Sequence, residues 1–223
     1  MKKLYDFLFP KYARLPLLLV LLMNCFVFWV IPSIQDLLGA QRHDMTLGID
    51  RALPLVPAFI VVYILSYVQW VGTYIYHSHE SRELCYRMTN SDLIAKLIVM
   101  GIFIIYPTIM TRPEITELGD GPFAWLTGLI YTMDKPISLF PSIHCLESWM
   151  CFRTALMMKK KHRGYISAQL VFTLLVFASV VLVKQHFFVD IPAAILVAEI
   201  GLFAYKKWDK THIFEKIQLP SAR

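Results

Sequence analysis

Six apolar stretches, each close to the length of a membrane crossing, constrain this chain more than any other feature. They fall at 15–34, 53–76, 93–110, 142–158, 166–183 and 189–205. A helix needs about 20 apolar residues to cross the hydrocarbon core, and in lipid only a helix or a closed barrel satisfies its own backbone. Of the 223 residues, 57% are hydrophobic and 17% are charged. A soluble domain carries roughly 25% charged residues, and one this poor in charge has too little polar surface to cover its apolar groups. The expected fold is therefore all-α: a single polytopic membrane domain over 1–223, built as a bundle of six transmembrane helices. The first stretch is long for a signal peptide and lacks a clean small-x-small cleavage site, so it reads as a retained span.

Proline and capping residues mark the boundaries. Pro54 and Pro57 fall near the start of the second stretch, where proline costs least, and Asn90 or Ser91 is a plausible N-cap for the third. The formal charge of +6 suggests nucleic acid only until the basic residues are located. Fifteen Lys and Arg flank the N-terminus, the second and fourth connections and the tail (Lys210, Lys216 and Arg223 among them), against five (Arg42, Arg51, Arg112, Lys135 and Lys184) in the alternate connections. Positive charge accumulates on the cytoplasmic side of a membrane protein. Both termini are thus expected in the cytoplasm, with the alternate connections on the opposite face. The 111–140 connection carries an aromatic-rich patch at 122–131, too short to span, that can lie in the interface and cover a site.

Two polar islands interrupt the apolar pattern on the non-cytoplasmic side: Pro141-Ser142-Ile143-His144 and Lys184-Gln185-His186-Phe187-Phe188-Val189-Asp190. In the first, Ser142 stands at a helix mouth, where its hydroxyl and the free N–H groups of the first turn suit an anion. The same residues also read as a cap with a buried histidine. Glu147 shares a face with His144. In the second, His186 and Asp190 are four residues apart, so the carboxylate can take the Nδ1–H and leave Nε2 as a nucleophile. Arg112 offers a planar fork for phosphate oxygens, or simply a snorkelling helix end. Two histidines suit phosphoryl transfer: one attacks phosphorus and the other protonates the leaving oxygen. No G-x-S-x-G elbow supports an acyl hydrolase. Elsewhere, His77 and His79 read as a solvated loop, the four cysteines as small buried hydrophobes, and Arg153 as an interior cation paired with Glu147 or Glu199.

These residues resemble the type 2 phosphatidic acid phosphatase superfamily, six-span metal-independent lipid phosphatases and phosphotransferases. The likeness covers roughly 100–200, with the motifs within 111–190. It implies His186 as the phosphorylated nucleophile, Asp190 as its orienting partner, His144 as the general acid, Ser142 and Arg112 as phosphate binders, and no metal or other cofactor. Three positions depart from the family pattern: Ile105 and Val180 stand where cations belong, and Ile143 where glycine does. Lys184 and Lys135 are the candidates to replace the cations. Lys-Gln-His is more similar to the inositol phosphorylceramide and sphingomyelin synthase branch, which passes a phosphorylated head group to an alcohol. The expected activity is hydrolysis of a phosphorylated lipid, with head-group transfer as the alternative and a non-catalytic transporter as a remote one. The expected partners are a lipid phosphate and the bilayer, with no nucleic acid.

Overall fold

The computed structural model describes residues 2–208; Lys210, Lys216 and Arg223 lie outside them. The described chain is helical. Extended backbone pairs only at two isolated bridges between loops, His43 with Thr108 and Ile109 with Ile137. A short helix α1 (Lys2–Leu8) precedes α2 (Lys11–Cys25), which continues through a π-helical turn (Phe26–Val30) into α3 (Ile31–Leu37). After α4 (Gly48–Ala52) come α5 (Ile60–Glu80), α6 (Arg82–Ile105), α7 (Pro122–Met133), α8 (Ile143–Ala155), α9 (Arg163–Leu182) and α10 (Asp190–Trp208).

Four helical segments are long and apolar enough to cross a membrane: Lys11–Leu37, Pro57–Glu80, Arg82–Ile105 and Arg163–Leu182. Among the described residues the secondary structure is helical throughout, and these four helices mark a membrane protein. The two other expected spans do not meet that measure. α8 has 13 residues, a rise of about 20 Å against a core about 30 Å thick. α10 has 19 residues but includes Asp190, Glu199, Lys206 and Lys207.

The boundary between the second and third apolar stretches also differs from expectation. A single extended residue, Ser81, separates α5 from α6, and its hydroxyl caps α6 by accepting from the Leu84 N–H at 3.1 Å. The helix therefore starts at Arg82, well before Asn90 and Ser91, which lie inside it. Arg82 and Arg87 lie in helix rather than in a loop. His77, expected in a solvated loop, is fully buried inside α5, with Nε2 3.2 Å from the Tyr165 hydroxyl. His79 is exposed and reaches the Leu8 carbonyl at 3.2 Å.

The core forms where α6 packs on α10 and α2, and where α8 packs on α9, α10 and α5. At the α6–α10 contact, a Cβ added to Gly201 would sit 2.4 Å from the Ser91 carbonyl oxygen. The two backbones touch there, the close approach that small residues permit between membrane helices. Deeper in the bundle, Lys96 of α6 is wholly buried and gives its ammonium to Asp92 at 2.6 Å and to Glu147 of α8. The Tyr74 hydroxyl of α5 donates to the other Glu147 oxygen at 3.1 Å. Removing one partner from a buried ion cluster strands the remaining charges, at a cost of about 3–5 kcal/mol. We expect Lys96→Met to lower the unfolding free energy in detergent by about that amount. Adding Asp92→Asn and Glu147→Gln to the same protein should restore most of the loss; a triple variant no more stable than the single one would show that charge is not the cause.

Candidate active site

The site is assembled by two helix ends and a set of paired loops. α9 closes with a turn in which the Val180 carbonyl accepts from the Gln185 and His186 N–H groups at 2.9 and 3.0 Å, while Lys184 N–H donates to Val181 at 3.3 Å. Such a cap places one residue in the left-handed region, usually glycine; here it is Lys184, with φ of 53°. Its ammonium explains the choice. Nζ donates to the backbone carbonyls of Asp50 and Leu53, both at 2.7 Å. Asp50 in turn accepts from the Phe188 N–H at 2.7 Å and the Leu47 N–H at 2.8 Å. Lys184, expected as a phosphate binder, is thus committed to holding the turn that carries His186.

That turn delivers the second polar island intact. His186 Nδ1 lies 2.9 Å from Asp190 Oδ2 and 3.1 Å from the Leu139 carbonyl. Both neighbours are acceptors, so the proton sits on Nδ1, and Nε2 has no hydrogen-bond partner among the described residues. Asp190 opens α10, is buried, and also accepts from the Phe187 N–H at 3.2 Å. The first island arrives from α8. Ser142 is its N-cap and accepts from the Cys145 N–H at 3.3 Å. It is fully buried and lines neither of the two cavities described below. His144 stands in the first turn of α8, its ring 5.7 Å from that of His186, centroid to centroid. Tyr63 stacks on it at 4.1 Å, and the Tyr67 hydroxyl meets its Nε2 at 3.1 Å.

Arg112 follows α6 in the 107–113 segment, which pairs through its backbone with His43 and with 136–138. Its guanidinium donates to the Asp134 carbonyl at 2.6 Å and to Gln185 Oε1, and lies over the Tyr131 ring at 4.9 Å. Tyr131 belongs to α7, the aromatic patch expected at 122–131. The patch is a helix whose exposed face carries Phe123, Trp125 and Met133, and the Tyr131 hydroxyl anchors it to the Val183 carbonyl at 2.8 Å.

Two cavities meet at His186. The larger, about 690 Å³, has Val20, Phe28, Trp70, His144, Glu147 and His186 on its largely apolar wall. The smaller, about 400 Å³, is lined by Asp50, Arg51, Thr111, Arg112, Lys184 and His186 among others. Lys135 is not at this junction. It projects from the rim of the larger cavity, 72% exposed and 3.7 Å from the Asp36 carboxylate. Where the family pattern places cations, Ile105 is 84% exposed at the end of α6 and Val180 is buried in the core. Arg153 pairs with Glu199 and not with Glu147, which faces Lys96. Among the described residues, no three His, Cys, Asp or Glu side chains converge as metal ligands.

Tyr63, Asp134 and Asp50 complete the surroundings and were not singled out in the sequence, while Gln185, part of the second island, was given no role there. For those three the one local signal is the four-residue spacing of Tyr63 and Tyr67, which puts both rings on one face of α5. No family model matches the chain, and no curated protein or solved structure shows significant similarity to it.

Burial governs the charges around the loops. It holds the Asp134 carboxyl above its ordinary range of 3.8, although Arg112, His186 and the Tyr63 hydroxyl at 3.1 Å pull the other way. A carboxyl raised in this way stabilises the fold below its ordinary pKa, and the contribution is lost as pH rises through the raised value. Asp134→Asn should therefore match the wild type in melting temperature near about pH 4 and exceed it increasingly towards about pH 7; a constant difference across that range would contradict this account of Asp134.

Proposed function

We propose that this chain is a metal-independent membrane enzyme of the type 2 phosphatidic acid phosphatase superfamily, transferring phosphoryl groups from a lipid through a phosphohistidine. The observation that carries the reading is His186 itself. Its Nδ1 is tied to Asp190, its Nε2 is free, and it stands where an apolar cavity meets a polar one. A tail in the larger cavity presents its phosphate to His186 and Arg112, the residue arrangement that phosphoryl transfer uses to position and neutralise its substrate.

Nε2 of His186 attacks phosphorus, and Asp190 stabilises the imidazolium that develops. His144, within reach of the same group, protonates the departing lipid oxygen. It then takes a proton from the water that attacks the phosphohistidine. Arg112 neutralises charge on the phosphoryl oxygens, so no step calls for a metal ion. Hydrolysis requires only one organic substrate; transfer to an alcohol uses the same residues and differs in the acceptor. The transporter alternative has no comparable support, since Arg153 and Glu199 pair with each other and line neither cavity.

In this reading α8 and α10 complete six crossings with α2–α3, α5, α6 and α9. The basic flanks are cytoplasmic and the site opens on the opposite face. The termini then share a side, and α7, with Trp125 and Met133 outward, lies at the outer interface.

Purified protein incubated with a ³²P-labelled phospholipid should yield acid-labile label on the chain. His186→Ala should show none, and Asp190→Asn should lose about 100- to 10,000-fold in turnover by losing control of the tautomer. Turnover should be unchanged in EDTA. Unchanged activity in His186→Ala would remove the mechanism, and a requirement for added magnesium would point to another enzyme class.

A further inference from the structure

We infer that the Tyr67 hydroxyl hands the proton to the departing lipid oxygen, with His144 behind it as the source of that proton. This rests on the phosphoryl-transfer reading and adds to it a catalytic residue.

His144 is enclosed by three aromatic rings. Tyr63 stacks on it at 4.1 Å, and the rings of Trp70 and Tyr67 lie 5.1 and 5.2 Å away. Two of the three polar tips are fixed elsewhere. The Tyr63 hydroxyl donates to Asp134 at 3.1 Å, and the Trp70 indole N–H donates to the Ser148 hydroxyl at 3.0 Å. The third meets the imidazole: the Tyr67 hydroxyl stands 3.1 Å from Nε2. An imidazole nitrogen makes one hydrogen bond, as donor or as acceptor, and at Nε2 the phenol takes it. The enclosure leaves His144 only 4% exposed. Tyr67 is 39% exposed, and it shares the wall of the larger cavity with His144 and His186.

A hydroxyl has one proton to give and two lone pairs to offer. With His144 in its acid form, Nε2–H donates to the Tyr67 oxygen and the phenolic O–H is left to give. Among the described residues none accepts it. Its acceptor is then the ester oxygen of a lipid whose phosphorus lies at the free Nε2 of His186. The spacing suits this, because the His144 and His186 rings are 5.7 Å apart and Tyr67 flanks the first of them.

The step balances without further reactants. Nε2 of His186 forms a bond to phosphorus as the ester bond to the lipid alcohol breaks. The Tyr67 O–H proton passes to the departing oxygen while the His144 Nε2–H proton passes to the Tyr67 oxygen. Tyr67 is neutral before and after, and His144 goes from imidazolium to imidazole. When water attacks the phosphohistidine and the P–N bond breaks, the same two transfers run in reverse and His144 recovers its proton.

The test follows a single turnover, with the purified full chain in detergent micelles and in excess over substrate. Two phosphate monoesters are compared. One is a diacylglycerol phosphate, whose alkoxide must be protonated as it leaves. The other is 4-nitrophenyl phosphate bearing an alkyl chain, whose phenolate leaves without a proton. Tyr67→Phe should raise the ratio of nitrophenolate to diacylglycerol release by about 100-fold, within the usual contribution of a general acid. His144→Ala should raise it in the same direction, and the double variant should match the worse of the two, because residues acting as a unit are not additive. An unchanged ratio in Tyr67→Phe would overturn the inference: with both rates kept, His144 donates directly, and with both equally reduced, the phenol only supports the fold. Should Tyr67→Phe fail to fold, the wild type decides. Two protons moving together bow the plot of diacylglycerol release against the deuterium content of the solvent, and a straight line overturns the inference. A His186→Ala protein that still turns over either ester, or a wild type that turns over neither, would overturn the phosphoryl-transfer reading and this inference with it.

Discussion

The buried ammonium of Lys96 is the contact on which the bundle most depends. It joins Asp92 on its own helix to Glu147 on α8, and Tyr74 extends the cluster to α5. α8 needs such a tie. It has 13 residues, and His144, Glu147, Ser148, Arg153 and Thr154 interrupt its apolar side chains. A helix of this kind cannot be located by hydrophobic burial alone, because lipid accepts apolar side chains as readily as a neighbouring helix does. A charge sealed away from water has no such latitude: it must meet its counterion. Glu147 thereby fixes the depth and rotation of α8, and one turn above it the same helix carries His144 to within ring distance of His186.

Order at the site follows from order in the loops. Nothing in the apolar helices alone would hold His186 in a defined pose at their ends. Asp50 and Lys184 do so by filling the hydrogen-bonding capacity of the turn between α9 and α10. Arg112 performs the same office from the other side, bridging the Asp134 carbonyl and Gln185 while resting on Tyr131. The result is a rigid polar rim around one imidazole nitrogen that has been left free. Preorganisation of this sort is what electrostatic catalysis requires.

What was legible in the sequence was local. The His186–Asp190 pair is a four-residue spacing, and the Ser142 cap is a proline followed by a hydroxyl; both are properties of a few consecutive residues and both have the expected geometry. The apolar stretches marked the helices, though not their ends, because α5 and α6 continue through polar sequence that reads as loop and are divided only by Ser81. What escaped notice was settled by distant partners. Lys96 lies 51 positions from Glu147, and Lys184 more than 130 from the carbonyls it holds. Lys184 and Lys135 looked equivalent as cations near a phosphate; the first is bound into a turn and the second is turned to solvent beside Asp36. His77 looked hydrated because of its polar neighbours, yet helix periodicity aims it inward at Tyr165.

The π-helical turn at Phe26–Val30 has a reach out of proportion to its five residues. Widening the helix there changes its phase between Val27 and Ile31, and Val27, Ile31 and, one turn further along α3, Gln35 are all buried. Gln35 consequently arrives facing inward, where it donates to the Phe103 carbonyl at 2.7 Å and accepts from Ser138 at 2.9 Å. Ser138 adjoins Leu139, whose carbonyl shares the Nδ1–H of His186. The pitch of the first long helix is in this way geared to the orientation of an imidazole more than 150 residues further along the chain.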